Sequence, residues 1–423
     1  MTTTPEAVEL PDVLDGFDLT DHARFADGVP YDVFARLRRE APLLYHPPGV
    51  NSPDGEGFWV LSRYADIAAV AADPAFSSQG GGGRKGGGTH LEDMAVGVHA
   101  GVLLPMMDDP RHQALKDMIT PSLTGSGSLL HEDELRGHAA ELVGAAVARG
   151  SGNLVDDLVE PFALRTVAGL FGAPEDTWDR LLTWVHGVVG LVNRRTSLPD
   201  DYSRVTVQAM AGYFKDLLAA KREVPGQDFG SLLAHGQLAE ETGELPLTPY
   251  EREHNYLVLL MHAYEQTRNV MADALLAVAE HPDQWRQLRE DRTLLPGAVE
   301  ELLRWAPPNP YNRRTATRDT ELHGQLVRAG DKVTLWWPSA NRDETVFTRP
   351  DTFDIRRNPN PHLSFGAGTH DCAGGEAGRL ALRPLLDLLL DRVAEIRLTG
   401  PAIHTPYNKH TVLLDLPVAL LPA

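Results

Sequence analysis

A chain of 423 residues with 42% apolar and 23% charged residues has ordinary globular usage, so a sizeable core is expected and wholesale disorder is excluded. Lys+Arg of 39 against Asp+Glu of 59 leaves a formal charge of −20, which repels phosphate backbones and anionic lipid surfaces, so neither nucleic acid nor a membrane is an expected partner. A single cysteine, Cys372, excludes an intramolecular disulfide and fits a reducing cytoplasm, while the absence of a signal pattern and of any apolar run of about 18 residues argues against an anchor.

Phe58-Trp59-Val60-Leu61 reads as a short strand. The stretch Gly80–Gly88, inside a loop at about 78–90, is too rich in glycine to bury apolar surface and is predicted to be mobile. A domain linker is the alternative. Sequence of the same texture resumes beyond it, which favours a flexible lid within one domain spanning 1–423. From about residue 130 to 305 the pattern is helical, with apolar residues at three- and four-residue spacing in Glu134–Arg149, Pro161–Leu170, Tyr202–Arg222 and Thr248–Glu280. The last begins with a capping box, Thr248-Pro249-Tyr250-Glu251, and stops at His281-Pro282. A central helix over about 249–280 follows, roughly 45 Å long. After Arg304, Glu321–Gly324 with Lys332–Trp337 reads as a hairpin, and Thr411–Leu416 as a strand. The fold class is mainly α with a minor β-sheet region.

The chemically informative segment is 362–374, His362-Leu-Ser-Phe365-Gly366-Ala-Gly368-Thr-His370-Asp-Cys372-Ala-Gly374. Glycines at 366, 368 and 374 remove side chains, so the backbone can lie against a flat ligand and aim amides at the sulfur. The chain after Gly374 looks helical and places Cys372 near a helix N-terminus, where amides and dipole favour a thiolate. A lone thiolate on a flat cofactor is the ligation of haem–thiolate oxygenases.

In these residues the sequence resembles the cytochrome P-450 family, and the resemblance spans nearly the whole chain. It implies one large, mainly α-helical domain that binds haem b (iron protoporphyrin IX), with Cys372 as the iron ligand and Phe365, Gly366, His370 and Gly374 in the haem-binding loop. Glu301-Leu-Leu-Arg304 matches the family's Glu-x-x-Arg pair, and Phe353-Asp-Ile-Arg-Arg357 supplies a third member, Arg357; the resemblance makes these three structural. His112, Lys116, Arg314 and His362 stand where the family holds the haem propionates, with lysine at 116 where arginine is usual. The glycine-rich loop falls at the family's substrate-access loop. The soluble bacterial type is implied: cytoplasmic, monomeric, using dioxygen, and fed by a ferredoxin with a separate reductase.

The long helix departs from the family pattern Ala-Gly-x-(Asp/Glu)-Thr. Here the stretch is His262-Ala263-Tyr264-Glu265-Gln266-Thr267. The acid survives as Glu265, but Gln266 takes the hydroxyl place and His262 the alanine place. His262 and Gln266, one turn apart, share the face expected to look at the cofactor. Three readings stand open: they bond each other and tighten the helix, they bind a polar substrate group, or proton delivery is altered. A polar, aromatic or carrier-bound substrate of specialised (secondary) metabolism is the expectation, with Glu265, Gln266 and Thr267 as catalytic candidates and His262 and Ala263 as substrate contacts. The leading function is a monooxygenase. The alternatives are an oxidase that couples or cyclises its substrate or acts on nitrogen, and a catalytically silent scaffold.

Overall fold

The computed structural model describes residues 9–188, 200–239 and 242–423. Helices dominate, and among the described residues none is long and apolar enough to cross a membrane.

Phe58–Leu61 is a strand with all four side chains buried. Trp59 and Leu61 join one apolar cluster and Phe58 and Val60 another, so the uninterrupted apolar run reflects a sheet covered on both faces. That sheet has five strands in the order Leu43–His46, Phe58–Leu61, Lys332–Trp336, Tyr311–Ala316, Phe76–Ser77. Lys332–Trp336 pairs parallel with Phe58–Leu61 and antiparallel with Tyr311–Ala316. This corrects the expected hairpin: the segment near 321 instead folds on itself, Thr320–Leu322 pairing with Gln325–Val327. The predicted strand 411–416 is shorter, Leu413–Asp415, and pairs with Ile403–His404.

The predicted helices appear with bounds moved by at most two residues: Glu132–Arg149, Glu160–Leu170 and Asp200–Glu223. The long helix is Pro249–Glu280, and both arms of its capping box are made: the Glu251 amide donates to Thr248 Oγ1 at 3.1 Å and the Thr248 amide to Glu251 Oε2 at 2.8 Å. Its Tyr256, Leu260, Tyr264, Met271 and Leu275 are buried in the main core, which also takes residues from the helices Leu295–Trp305 and Gly375–Arg392. One strip of the helix escapes burial. Val258 and Leu259, His262 and Ala263, and Gln266 and Thr267 are all partly accessible, recurring at intervals of one turn.

Within the glycine-rich stretch, several glycines sit at close approaches to other segments. A side chain at Gly82 would meet the Ala316 carbonyl at 2.5 Å, and Gly86–Gly87 pairs with Met94–Ala95. Arg84 ties the stretch down through Asp93 at 2.8 Å, Glu56 and the Gly330 carbonyl at 3.1 Å. Glycine serves close approach here as well as freedom.

Candidate active site around Cys372

Glycine shapes the cysteine loop. Gly366 and Gly368 have φ of 79° and 71°, and a side chain at Gly368 would meet the Ala71 carbonyl at 2.5 Å, so the loop lies directly on the helix Tyr64–Ala72. The Cys372 amide donates to the Phe365 carbonyl at 2.8 Å and the Gly375 amide to the Cys372 carbonyl at 3.1 Å. The helix Gly375–Arg392 starts three residues after the sulfur. Burial pushes the Cys372 thiol up, Asp371 adds to this, and the Gly374 amide works against both. Yet Cys372 is exposed. A group that is enveloped by protein and still reached by solvent borders an interior space. A side chain at Gly374 would meet nothing nearer than the sulfur, at 3.8 Å, so room is open beside it. Phe365 lies under the loop with the Arg379 guanidinium 4.5 Å from its ring centre.

Behind the loop, Glu301 and Arg304 are wholly buried and doubly bonded at 2.8 Å. Arg357 donates to Glu301 Oε2 at 3.1 Å and to the Thr348 carbonyl at 2.8 Å. Arg304 also donates to the Asn341 carbonyl at 2.9 Å. The Asn341 side chain in turn accepts from the Leu363 amide and donates to Ser364 Oγ, both at 2.8 Å. The three charged residues are thus wired to the start of the cysteine loop, and every lone pair of Glu301 has a donor. Asn341 carries that wiring and was not signalled by the sequence.

Of the residues proposed to hold carboxylates, three gather around His370. The His112 ring lies 4.0 Å from the His370 ring, and Lys116 donates to the Thr369 carbonyl at 2.8 Å and pairs with Asp371. Burial, with the charges of Arg314, His112 and Lys116, pushes His370 down to about 2. Burial likewise pushes Arg314 down to about 10, with Asp108 as the counteracting charge. Asp108 is itself engaged by Ser77 and by the Ser78 amide at 2.9 Å. A buried guanidinium beside crowded imidazoles favours an arriving anion, which is what the propionates of haem would bring. Together with the accessible thiol and the open room at Gly374, the donor set fits that group. The fourth residue is turned elsewhere: His362 Nε2 is 3.2 Å from Glu300, and its Nδ1 accepts from the Ser364 amide at 3.3 Å. Despite burial, Arg379 and His362 hold Glu300 at about 2.

On the long helix, Glu265 is buried with His410 Nδ1 3.9 Å from its Oε1. Gln266, Thr267, His262 and Ala263 fall on the accessible strip. The sequence reading missed the residues that reach this strip from elsewhere. His90 comes from the loop after the glycines, and its ring is 5.4 Å from that of His410 near the C-terminus. Also missed was a buried ion cluster one residue past Thr267: Arg268 donates to Glu160 Oε1 at 3.0 Å, with His186 Nε2 3.1 Å from Glu160 Oε2. Burial opposes ionisation of Glu160, but His186 and Arg268 outweigh it and hold the carboxyl at about 2.

A family model described as Cytochrome P450 matches residues 204–414. A putative cytochrome P450 126 of Mycobacterium tuberculosis is 40% identical over 409 residues, covering 96% of this chain and 98% of that one. Linalool 8-monooxygenase of Pseudomonas putida is 34% identical over 414 residues, covering 96% and 99%. Among solved structures, a Mycobacterium marinum cytochrome P450 in complex with pseudoionone superposes with a TM-score of 0.85 at 29% identity, covering 98% of this chain and 100% of that one.

Proposed function

The chain belongs to the cytochrome P450 family of haem-binding monooxygenases, and on that premise we propose that it inserts one oxygen atom into a small, largely apolar organic molecule of the terpenoid or lipid kind. The observation that carries the reading is the glycine-framed, solvent-reached thiol of Cys372 near the Arg314 guanidinium, the Lys116 ammonium and the imidazoles of His112 and His370. Cys372 Sγ would hold the iron, and Arg314 with the imidazoles would face the propionates. Bound haem supplies the activation of dioxygen. Overall, one C–H bond, one dioxygen, two electrons and two protons give one C–OH and one water.

The chain's own part is positional and acid–base. The triad Glu301, Arg304 and Arg357 holds the cysteine loop in place. The accessible strip of the long helix holds the substrate over the thiol. Glu265 and His410 form the chain's acid–base pair: His410 Nδ1 lies 3.9 Å from Glu265 Oε1 and 3.1 Å from Asn309 Oδ1. This supplies protons where the family's hydroxyl is replaced by Gln266. We propose that electrons come from a ferredoxin with a separate reductase, as in the soluble bacterial type that the sequence resembles. The linalool relative and the pseudoionone complex support an apolar substrate, and the replaced hydroxyl motivates a second outcome, coupling or ring closure without oxygen insertion.

The test is spectroscopic and then chemical. Reduced holoprotein under carbon monoxide should show the thiolate-type absorption band, and a colourless protein would refute the reading. With reducing equivalents and a substrate that shifts the resting spectrum, the product should gain one oxygen. Loss of two hydrogens without oxygen would assign the second outcome.

A further inference from the structure

His90 is placed by its neighbours rather than by chance. The Arg313 amide donates to the Thr89 carbonyl at 2.7 Å, and Glu92 pairs with Lys409, drawing the loop carrying His90 against the segment carrying His410. His410 and His262 both lie near enough to His90 to influence its ionisation, so the loop and the long helix converge there. His90 Nε2 is buried with no hydrogen-bond partner, and so is Gln266 Oε1 on the accessible strip. Buried polar atoms without partners are uncommon and costly. Burial holds the His90 and His262 rings below the usual imidazole range, so each is neutral at neutral pH and offers one donor and one acceptor. One turn before His262, Val258 packs with Met94 and Met106 in a small apolar cluster of its own.

Resting on the monooxygenase reading, we propose that the substrate carries an alcohol or phenol hydroxyl, bound by His90, His262 and Gln266, with its hydrocarbon body against Met94, Met106 and Val258. Gln266 Oε1 accepts only, so its partner must donate. A neutral imidazole donates from one nitrogen and accepts at the other, so a partner that both donates and accepts suits either tautomer. A hydroxyl does both through one oxygen. A carbonyl has no proton for Gln266, a carboxylate meets Glu265, and an ammonium leaves the imidazole N–H groups unmet.

The test uses haem-loaded protein and two probes of one skeleton, 4-cyclohexylphenol and cyclohexylbenzene, with equilibrium dialysis as the readout. The phenol should bind ~10-fold or more tightly than the hydrocarbon, the selectivity of one well-made buried hydrogen bond. In His90→Phe and Gln266→Leu that ratio should fall to about 2-fold or less while hydrocarbon binding is kept. Equal binding of the two probes by the unaltered protein, or a ratio preserved in both variants, overturns the proposal. If His90→Phe does not retain haem, Gln266→Leu decides alone. The carbon monoxide band of each sample reports on the monooxygenase reading separately: a selective protein without the band fails that reading and not this one.

Discussion

Cys372, the one cysteine of the sequence, takes its character from its surroundings: a Gly374 amide aimed at the sulfur, a helix starting three residues on, and an open space in front. Serine keeps the size but not the thiolate. Cys372→Ser should fold with the same circular dichroism, lose the thiolate-type carbon monoxide band and lose turnover; retention of both would remove Cys372 as the ligand. At Glu265 and Gln266 the two side chains part company. Glu265 is buried beside His410, and Gln266 offers a carbonyl that cannot relay a proton as a hydroxyl does. Glu265→Gln should slow turnover by ~10²–10⁴-fold at full haem content, the range for a positioned acid–base group. Gln266→Ala should act more mildly and mainly on KM. If Gln266→Ala diverts oxygen to peroxide while Glu265→Gln leaves rates unchanged, the roles are reversed. The motif residues were legible because loop and helix N-terminus are contiguous in sequence; His90 and His410 were not, since nothing local pairs two histidines from opposite ends of the chain.

Among the elements, the long helix and the Glu301 hub show two kinds of specification. The helix start is local: Thr248 and Glu251 satisfy each other's amides, so cap and entry angle were readable from four residues. Thr248→Ala should cost about 1 kcal/mol in denaturant unfolding, with turnover kept. The hub is tertiary. Glu301 accepts from Arg304, Arg357, Asn360 and the Asp354 amide, joining the helix Leu295–Trp305 to the segment before the cysteine loop. Glu301→Ala would leave two guanidinium groups facing a lost carboxylate, at a cost of roughly 3–5 kcal/mol. Haem-poor or insoluble protein is the expected result, and a soluble, fully loaded variant would count against the hub. The strand Phe58–Leu61 was readable as a strand, but its parallel partner Lys332–Trp336 lies far along the chain, and a hairpin assumption based on proximity chose the wrong neighbour.

Across the whole molecule, burial of charge links the helical layers. Glu160, Arg268 and His186 come from three helices and meet in the core. The Glu160 carboxyl, held at about 2 against an ordinary 4.5, contributes stability that is complete above pH 4.5 and is lost as pH falls through about 2. Linkage puts that contribution on the order of 3 kcal/mol. Glu160→Gln should lower unfolding stability at pH 7 and flatten the acid dependence below pH 4.5. An unchanged acid limb in the variant would show that other carboxylates govern acid unfolding.

Legible from the sequence alone were the helical class, the long capped helix and the cysteine loop with its glycines. Each rests on residues within a turn or two of one another, where spacing and side-chain chemistry suffice. Tertiary structure alone decided the strand order, the close approach of Gly82 to Ala316, the turning of His362 toward Glu300, and the meeting of His90 with His410. These contacts join segments far apart in the chain, and their partners are chosen by which surfaces remain to be buried once the helices have packed.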